Sequence, residues 1–410
     1  MSVATICSRK LFSERSHYQP ENRAQLADLL RPFWKDEPFS DEQRLQMYGL
    51  SIRDFCLAER IEQADIAVLP MTWNHYLARR QVPLALDFIQ AARRADRPII
   101  SYVSGDEGVT VPSGFDDVYV VRASGFQTRK RERQIAQPVF FDDPAHRYPD
   151  LFRLDSAPSR ARGPWSVVSS QSSVVSSPSV GFCGQAGFNP VNLLVDLSRC
   201  LCRNGTYHLG FRREEPQPLC PPRLLRTRAI HALSRSSSVR TRFILRTRYR
   251  AGAVEGFSRE QTTRAFYENV AQTDYTLCVR GGGNFSKRFY ETLAMGRIPV
   301  LLDTDCLLPF EDVLPWDDFI VRVPQAELPS LPEKVAEHFT RHGSAGLAHF
   351  KRKCRQLWKE FLTFGGFHRH LVRMILASNE EHPENYRWTR TDAEERPPHS
   401  ALHTPHSALL

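Results

Sequence analysis

Residues 275–316 read YTLCVRGGGNFSKRFYETLAMGRIPVLLDTDCLLPFEDVLPW, and the local signals along them run strand, glycine loop, helix, strand. Tyr275 to Val279 is a short apolar run of strand formers, after which Gly281, Gly282 and Gly283 let the backbone turn sharply with its amides uncovered. Asn284 or Ser286 can cap the helix that follows, whose apolar positions Phe285, Phe289, Leu293 and Met295 stop at Gly296. Ile298 to Leu302 then resumes as a buried strand. A glycine turn leading from a strand into a helix N-terminus offers free N–H groups and a positive dipole end to an anion.

The charged residues sharpen that reading. Arg280 closes the first strand, and Arg288 and Glu291 stand on the helix at the i, i+3 spacing that puts both on one face. Two guanidinium forks beside uncovered amides suit a diphosphate, and a carboxylate one turn on can accept hydrogen bonds from ribose hydroxyls. The candidate nucleotide site is therefore Arg280, Gly281, Gly282, Gly283, Asn284, Phe285, Ser286, Arg288 and Glu291. The plainer alternative for the glycines is a structural turn.

The stretch CVRGGGNFSKRFYETLAMGRIPVLLDTDCLLPFEDVLPWDDFIV resembles the signature of the exostosin-like glycosyltransferases, glycosyltransferase family 47. In that family a Pro-Arg-Gly-like loop precedes an Arg-x-x-Glu helix, followed by Gly-x-Ile-Pro-Val and Leu-Pro-Phe-x-x-Val-x-x-Trp. The resemblance covers 274 to 335; GFCGQAG at 181–187 is similar to the family's inter-domain strand and turn, and DIAVLPMTWN and VSGDEGV weakly resemble its first domain. Val279 stands where many relatives carry proline. The resemblance implies an α/β protein of GT-B type, two Rossmann-like domains facing across a cleft, with the nucleotide-sugar held by the C-terminal one. It also implies an inverting transfer without a bound metal, with a UDP-sugar as the leading donor and no other cofactor.

At 410 residues the chain suits two domains rather than one, with a core that needs no staples. A net charge of +9 favours anionic partners, among them nucleotide-sugars, acidic glycans, nucleic acid and phospholipid head groups. Nine cysteines form no CxxC pair and no zinc spacing, and an odd number of scattered thiols points to a reducing compartment. The N-terminus lacks an apolar run of signal length and no window approaches the ~20 apolar residues of a membrane helix. The expectation is a cytoplasmic protein, peripheral to a membrane at most.

Residues 1–178 read as the first domain. Strand patterns at Ala64–Pro70, Arg97–Val103 and Asp117–Val121 alternate with a helical pattern at Pro83–Arg94, the mark of a parallel sheet. Polar residues follow two of these strands: Trp73, Asn74 and His75, then Ser104, Gly105, Asp106 and Glu107. Inverting sugar transfer needs a group that takes the proton from the acceptor hydroxyl. Asp106 is the first candidate, with Glu107 and His75 behind it; alternatively GDEG is an acidic turn and His75 a packed or acceptor-contacting residue. The basic run Arg129–Arg133 reads as a solvated face or an acceptor contact, and the Ser/Pro-rich 156–178 as a linker.

The second domain is placed at 179–378, and the tail 379–410, with its repeated His-Ser-Ala-Leu between prolines, reads as disordered. Nine arginines and no acid between 223 and 250 could bind a polyanion, but an amphipathic helix and a strand with arginines outside fits better, since aromatics are not interleaved. Arg246, at that strand's end, is within reach of donor phosphates. Ser258 and Gln261 form a capping box, and Leu331 to Ala377 is helical; in a GT-B fold such last helices commonly cross back to the first domain.

The reading is thus a metal-independent inverting glycosyltransferase with a glycan or other hydroxyl acceptor, not a nucleic-acid binder. In it Asp106 is the base, and Arg280 and Arg288 stabilise the departing diphosphate. Asp303 and Asp305 spell DTD but follow a strand and read as a loop. A non-catalytic nucleotide- or glycan-binding protein on the same fold is the alternative. A dinucleotide oxidoreductase lacks its G-x-G-x-x-G here, and a P-loop its G-K-[ST].

Overall fold

The computed structural model describes residues 9–34, 39–152, 166–170, 177–187, 190–246 and 258–379. Most of the Ser/Pro-rich linker, Arg248 and Arg250, and the tail beyond 379 lie outside them.

Two six-stranded sheets form the molecule. The first contains β1 (Arg9–Phe12), β2 (Phe55–Leu57), β3 (Ile66–Val68), β4 (Ile99–Val103), β5 (Val118–Arg122) and β6 (Gln134–Ala136), all parallel, in the order 2-1-3-4-5-6. The second contains β7 (Ser166–Ser170), β8 (Ser179–Gln185), β9 (Arg240–Arg246), β10 (Tyr275–Cys278), β11 (Ile298–Asp303) and β12 (Val321–Pro324), in the order 12-11-10-8-9-7. β8 to β12 are parallel and β7 pairs antiparallel with β9 at the edge. The central strands IISYV, VYVVR and YTLC are buried at every position, as unbroken apolar runs covered on both faces should be. In β4 the Ser101 hydroxyl donates to the Tyr119 carbonyl at 3.1 Å and accepts from Trp73 Nε1 at 3.0 Å.

Both sheets reverse direction in the same way. After β1 and β2 pair, β3 adds on the other side of β1; after β8 and β9 pair, β10 adds on the other side of β8. In parallel sheets a crevice opens at such a reversal, beyond the carboxyl ends of the strands. Arg280 and the three glycines follow β10 directly, so the chain delivers them to that place in the second sheet.

The helices obey the signals in the sequence. Val82–Arg94 turns Ala85, Phe88, Ile89 and Ala92 inward at helical spacing. The helix Arg259–Ala271 starts on the Ser258/Gln261 capping box, with both of its bonds formed. The C-terminal helices are Leu331–Leu357, which bends at Gly343, and Phe364–Asn379. The last of these packs on the first sheet: Arg369 Nη1 donates to the Gly49 carbonyl at 2.6 Å, and Phe140 meets Phe364 and Phe367. Among the described residues no helix is long and apolar enough to cross a membrane. Cys56 is disulfide-bonded, so the thiols are not all free, as their scattered odd number suggested.

Two histidines are sealed into this core. His368 donates from Nδ1 to the Phe364 carbonyl at 2.9 Å and faces the Tyr102 hydroxyl at 3.1 Å, and His338 Nδ1 meets the Tyr275 hydroxyl at 2.9 Å. Burial pushes both imidazoles down to about 4, with His342 and Arg341 adding to the effect at His338. Unfolded, each titrates near 6.5, so between there and about 4 the unfolded chain takes up protons that the folded one refuses. These two groups should therefore make the melting temperature fall as the pH drops from 6.5 towards 4. The fall should be shallower in His338→Gln, as measured by thermal unfolding across that range.

Candidate active site

Arg280 is buried at the carboxyl end of β10. Its Nη2 donates to the carbonyls of Cys220 at 2.5 Å and Pro218 at 3.4 Å, and its own carbonyl accepts from Arg226 Nη2 at 3.1 Å. Arg288, near the start of the helix Lys287–Ala294, lies over the Phe182 ring at 4.4 Å and donates through Nη2 to the Cys183 carbonyl at 2.8 Å. The two arginines thus converge on the ends of β8 and β10. Among the described residues neither guanidinium has a carboxylate within 4 Å, and the Nε of each is buried with no hydrogen-bond partner. Burial lowers the Arg280 pKa, though an arginine stays charged at neutral pH. A buried and a half-buried cation, each with an unspent N–H group, make a site for an anion. Glu291, one turn on, is 3.5 Å from Lys287 Nζ and largely covered.

The glycine loop closes on itself through Gly281, whose N–H donates to the Phe285 carbonyl at 2.9 Å. None of the three glycines has a positive φ, so their necessity lies elsewhere. A Cβ at Gly283 would collide with the carbonyl oxygen of Asp106, and one at Gly282 would stand 3.3 Å from Asp106 Oδ2. The acidic turn after β4 therefore rests on the glycine loop, bringing together two stretches 176 positions apart, from 106 to 282. Part of the loop surface that looked open in the sequence is covered by this turn, while the Asp106 carboxylate is exposed.

Of the other two candidate bases, neither stands there. Glu107 is bound by Arg203 and Arg212, the latter at 3.0 Å. His75 is buried beside Gln81, 3.2 Å from its Oε1, on a separate cavity of about 110 Å³ shared with His17, and burial lowers its pKa.

Asn284 takes a different part from the one its position suggests. Its backbone N–H donates to Ser124 Oγ at 2.9 Å, and its Nδ2 donates to the carbonyls of Gly125, Thr304 and Asp305 at 2.9–3.1 Å. Its Oδ1 accepts from the Thr304 hydroxyl at 2.7 Å. It joins the two halves, and its amide hydrogens are spent there. Ser286 begins the helix without a side-chain capping bond, and Phe285 is half-buried beside Gly283. In the DTD segment Asp303 accepts from the Cys306 N–H at 3.0 Å and Asp305 from the Thr128 N–H at 3.1 Å, so both shape the loop.

Arg226 was hidden in the arginine-rich segment. It sits four and seven residues before Ile230 and Leu233, which are buried on the helix Pro222–Arg235, and that spacing marks it as inward-facing. Its Nη1 donates to the Gln185 carbonyl at 3.3 Å, placing it at the same edge as Arg280, so the arginines of this segment are not all outside. Arg246 donates to the Thr262 carbonyl at 2.7 Å. Arg122, at the end of β5, grips Glu215 with both Nη atoms at 2.8 and 2.7 Å in a buried pair that local spacing gives no hint of.

Two α/β sheets, parallel but for the edge strand β7, reversing at β1 and at β8 and joined by a returning C-terminal helix, form a GT-B architecture. Within it, residues 227–338 match the exostosin GT47 domain, a stretch that contains Arg280, the glycine loop, Arg288 and the helix Lys287–Ala294. A stretch of 66 residues is 36% identical to the probable glucuronosyltransferase Os01g0926600 of Oryza sativa subsp. japonica, covering 16% of each chain. Over 66 residues the chain is also 36% identical to the probable beta-1,4-xylosyltransferase IRX10L of Arabidopsis thaliana, again 16% of each chain. The matched stretches thus span about a sixth of these relatives. Among solved structures, Anabaena Alr3699/HepE in complex with UDP aligns over 89% of this chain and 98% of its own, with 12% identity and a TM-score of 0.35. A glycosyltransferase from Rickettsia africae ESF-5 aligns over 92% and 100%, with 10% identity and a TM-score of 0.36.

Proposed function

We propose that the chain is an inverting glycosyltransferase that takes a sugar from a nucleoside-diphosphate sugar, a UDP-sugar first among them, and gives it to a hydroxyl acceptor. The observation that carries this reading is the pair Arg280, buried, and Arg288, half-buried, which have no carboxylate partner among the described residues at the sheet's reversal point, with the exposed Asp106 carboxylate over the adjoining glycine loop. The exostosin GT47 match, which covers Arg280, Arg288 and the glycine loop, supports it.

The acceptor oxygen attacks the anomeric carbon from the face opposite the diphosphate while its proton passes to Asp106. The anomeric carbon–oxygen bond breaks, and its electron pair leaves on the terminal phosphate of the nucleotide. Attack opposite the leaving group inverts the configuration. The guanidinium groups of Arg280 and Arg288 stabilise the charge that grows on the diphosphate, the work a divalent ion does in other transferases. Glu291, a turn beyond Arg288, accepts from ribose hydroxyls.

Calorimetric titration of the purified chain with UDP in EDTA tests this. Binding in EDTA is the expected result. Binding only after adding magnesium or manganese would overturn metal independence. Binding of NAD(H) in place of UDP or GDP would overturn the transferase reading itself.

A further inference from the structure

A cavity of about 770 Å³ lies between β5 and β6 of the first sheet and residues 204–219 of the second half. Its size is that of a small-ligand pocket, which typically measures ~300–1,000 Å³. The segment 203–215 docks on the first sheet's loops to close it: Tyr207 and Thr110 share a hydroxyl hydrogen bond of 2.7 Å, and Val109 bridges to Glu214.

The walls combine aromatic rings with charge. Arg129, Arg131 and Arg133 line the cavity, and none has a carboxylate within 4 Å among the described residues. Arg129 lies over the Phe126 ring at 5.0 Å, and Arg133 donates to the Asp117 carbonyl at 2.7 Å. The lining acids are partly occupied: Glu215 is held by Arg122 and Asp305 by Thr128, leaving Asp116 at the rim.

Gln217 supplies the second, independent sign of a ligand. It lines the cavity and is 6% exposed; its N–H donates to Asn204 Oδ1 at 3.1 Å and its Nε2 to the Glu215 carbonyl at 3.3 Å, yet its Oε1 is buried with no donor. A buried acceptor left unsatisfied is destabilising, and a ligand O–H would satisfy it.

The cavity also shares walls with the donor site. Pro218 and Thr304 line it, and they are the residues whose carbonyl and hydroxyl engage Arg280 and Asn284.

We infer that this cavity binds a saccharide bearing an anionic group, as the acceptor of the proposed transfer. The anion meets the three arginines, a sugar hydroxyl donates to Gln217 Oε1, and the apolar sugar faces lie on Phe126 and Tyr207. Its role as acceptor rests on the transferase reading; its binding chemistry does not.

The full-length chain is titrated with three tetrasaccharides of equal length: an oligogalacturonate, a sulfated oligosaccharide and a neutral one, with UDP measured in parallel. One of the acidic probes should bind at least about tenfold more tightly than the neutral one, the loss expected for a single charge-assisted contact. Which of the two wins names the anion. Arg129→Ala with Arg131→Ala, both exposed, should remove that preference and leave UDP binding unchanged. Gln217→Leu should weaken all three probes. Equal binding of acidic and neutral probes, or an acidic preference that survives the double substitution, overturns the inference whether or not UDP binds. Acidic binding lost in the double variant with no UDP binding at all would keep the site and overturn only the transfer it was assigned to.

Discussion

Asp106→Asn should reduce sugar transfer by about 10³-fold, within the range a positioned general base contributes, and leave UDP affinity unchanged. The substitution is nearly isosteric, and what packs on Gly283 is the backbone carbonyl of Asp106, not its carboxylate. The exposed side chain can therefore lose its basicity without disturbing the glycine loop. Single-turnover assays beside calorimetric UDP titrations separate the two effects. If turnover persists at the parent rate, Asp106 is only a turn residue and the base lies elsewhere; Glu107, already held by two arginines, is poorly placed to replace it.

Arg288→Ala should have the other large effect, on the donor. Its guanidinium is stacked on Phe182 and half-buried, conditions in which a contact to a phosphate oxygen is worth more than at an open surface. UDP binding should weaken by about 10²-fold and transfer by more, since the charge it meets grows in the transition state. Arg288→Lys should not restore either, because an ammonium cannot both stack on Phe182 and present a planar fork. An unchanged UDP affinity in both variants, at unchanged melting temperature, would move the donor away from this edge.

Much of the architecture could be read from the chain because it is encoded locally. Unbroken apolar runs such as IISYV and VYVVR leave little choice but buried parallel strands, and Ser258 with Gln261 marks a helix start by their spacing alone. The arginine pair was legible for the same reason: strand end, glycines and helix start follow one another within a dozen residues. What escaped was set by distant partners. Asn284 looks like a helix cap beside Ser286, and only the approach of Ser124, Gly125 and Thr304 makes it a join. Glu107 looks as free as Asp106 until Arg203 and Arg212 arrive. The cavity over β5 and β6 needed a segment assigned by sequence to the other half.

The join at Asn284 bears on how the protein comes to exist. Its bonds to Ser124 and Gly125 span 160 and 159 positions, and the last helix reaches Gly49 across 320. Contacts of such sequence separation form late and fold slowly, because loop-closure entropy must be spent before they reward it. The glycine loop acquires its final shape only once the turn at Asp106 and the segment Ser124–Gly125 have reached it. The half that carries the second sheet is therefore no detachable cassette: severed from its predecessor, it would leave the Asn284 amide and the Gly283 surface without the neighbours that hold them.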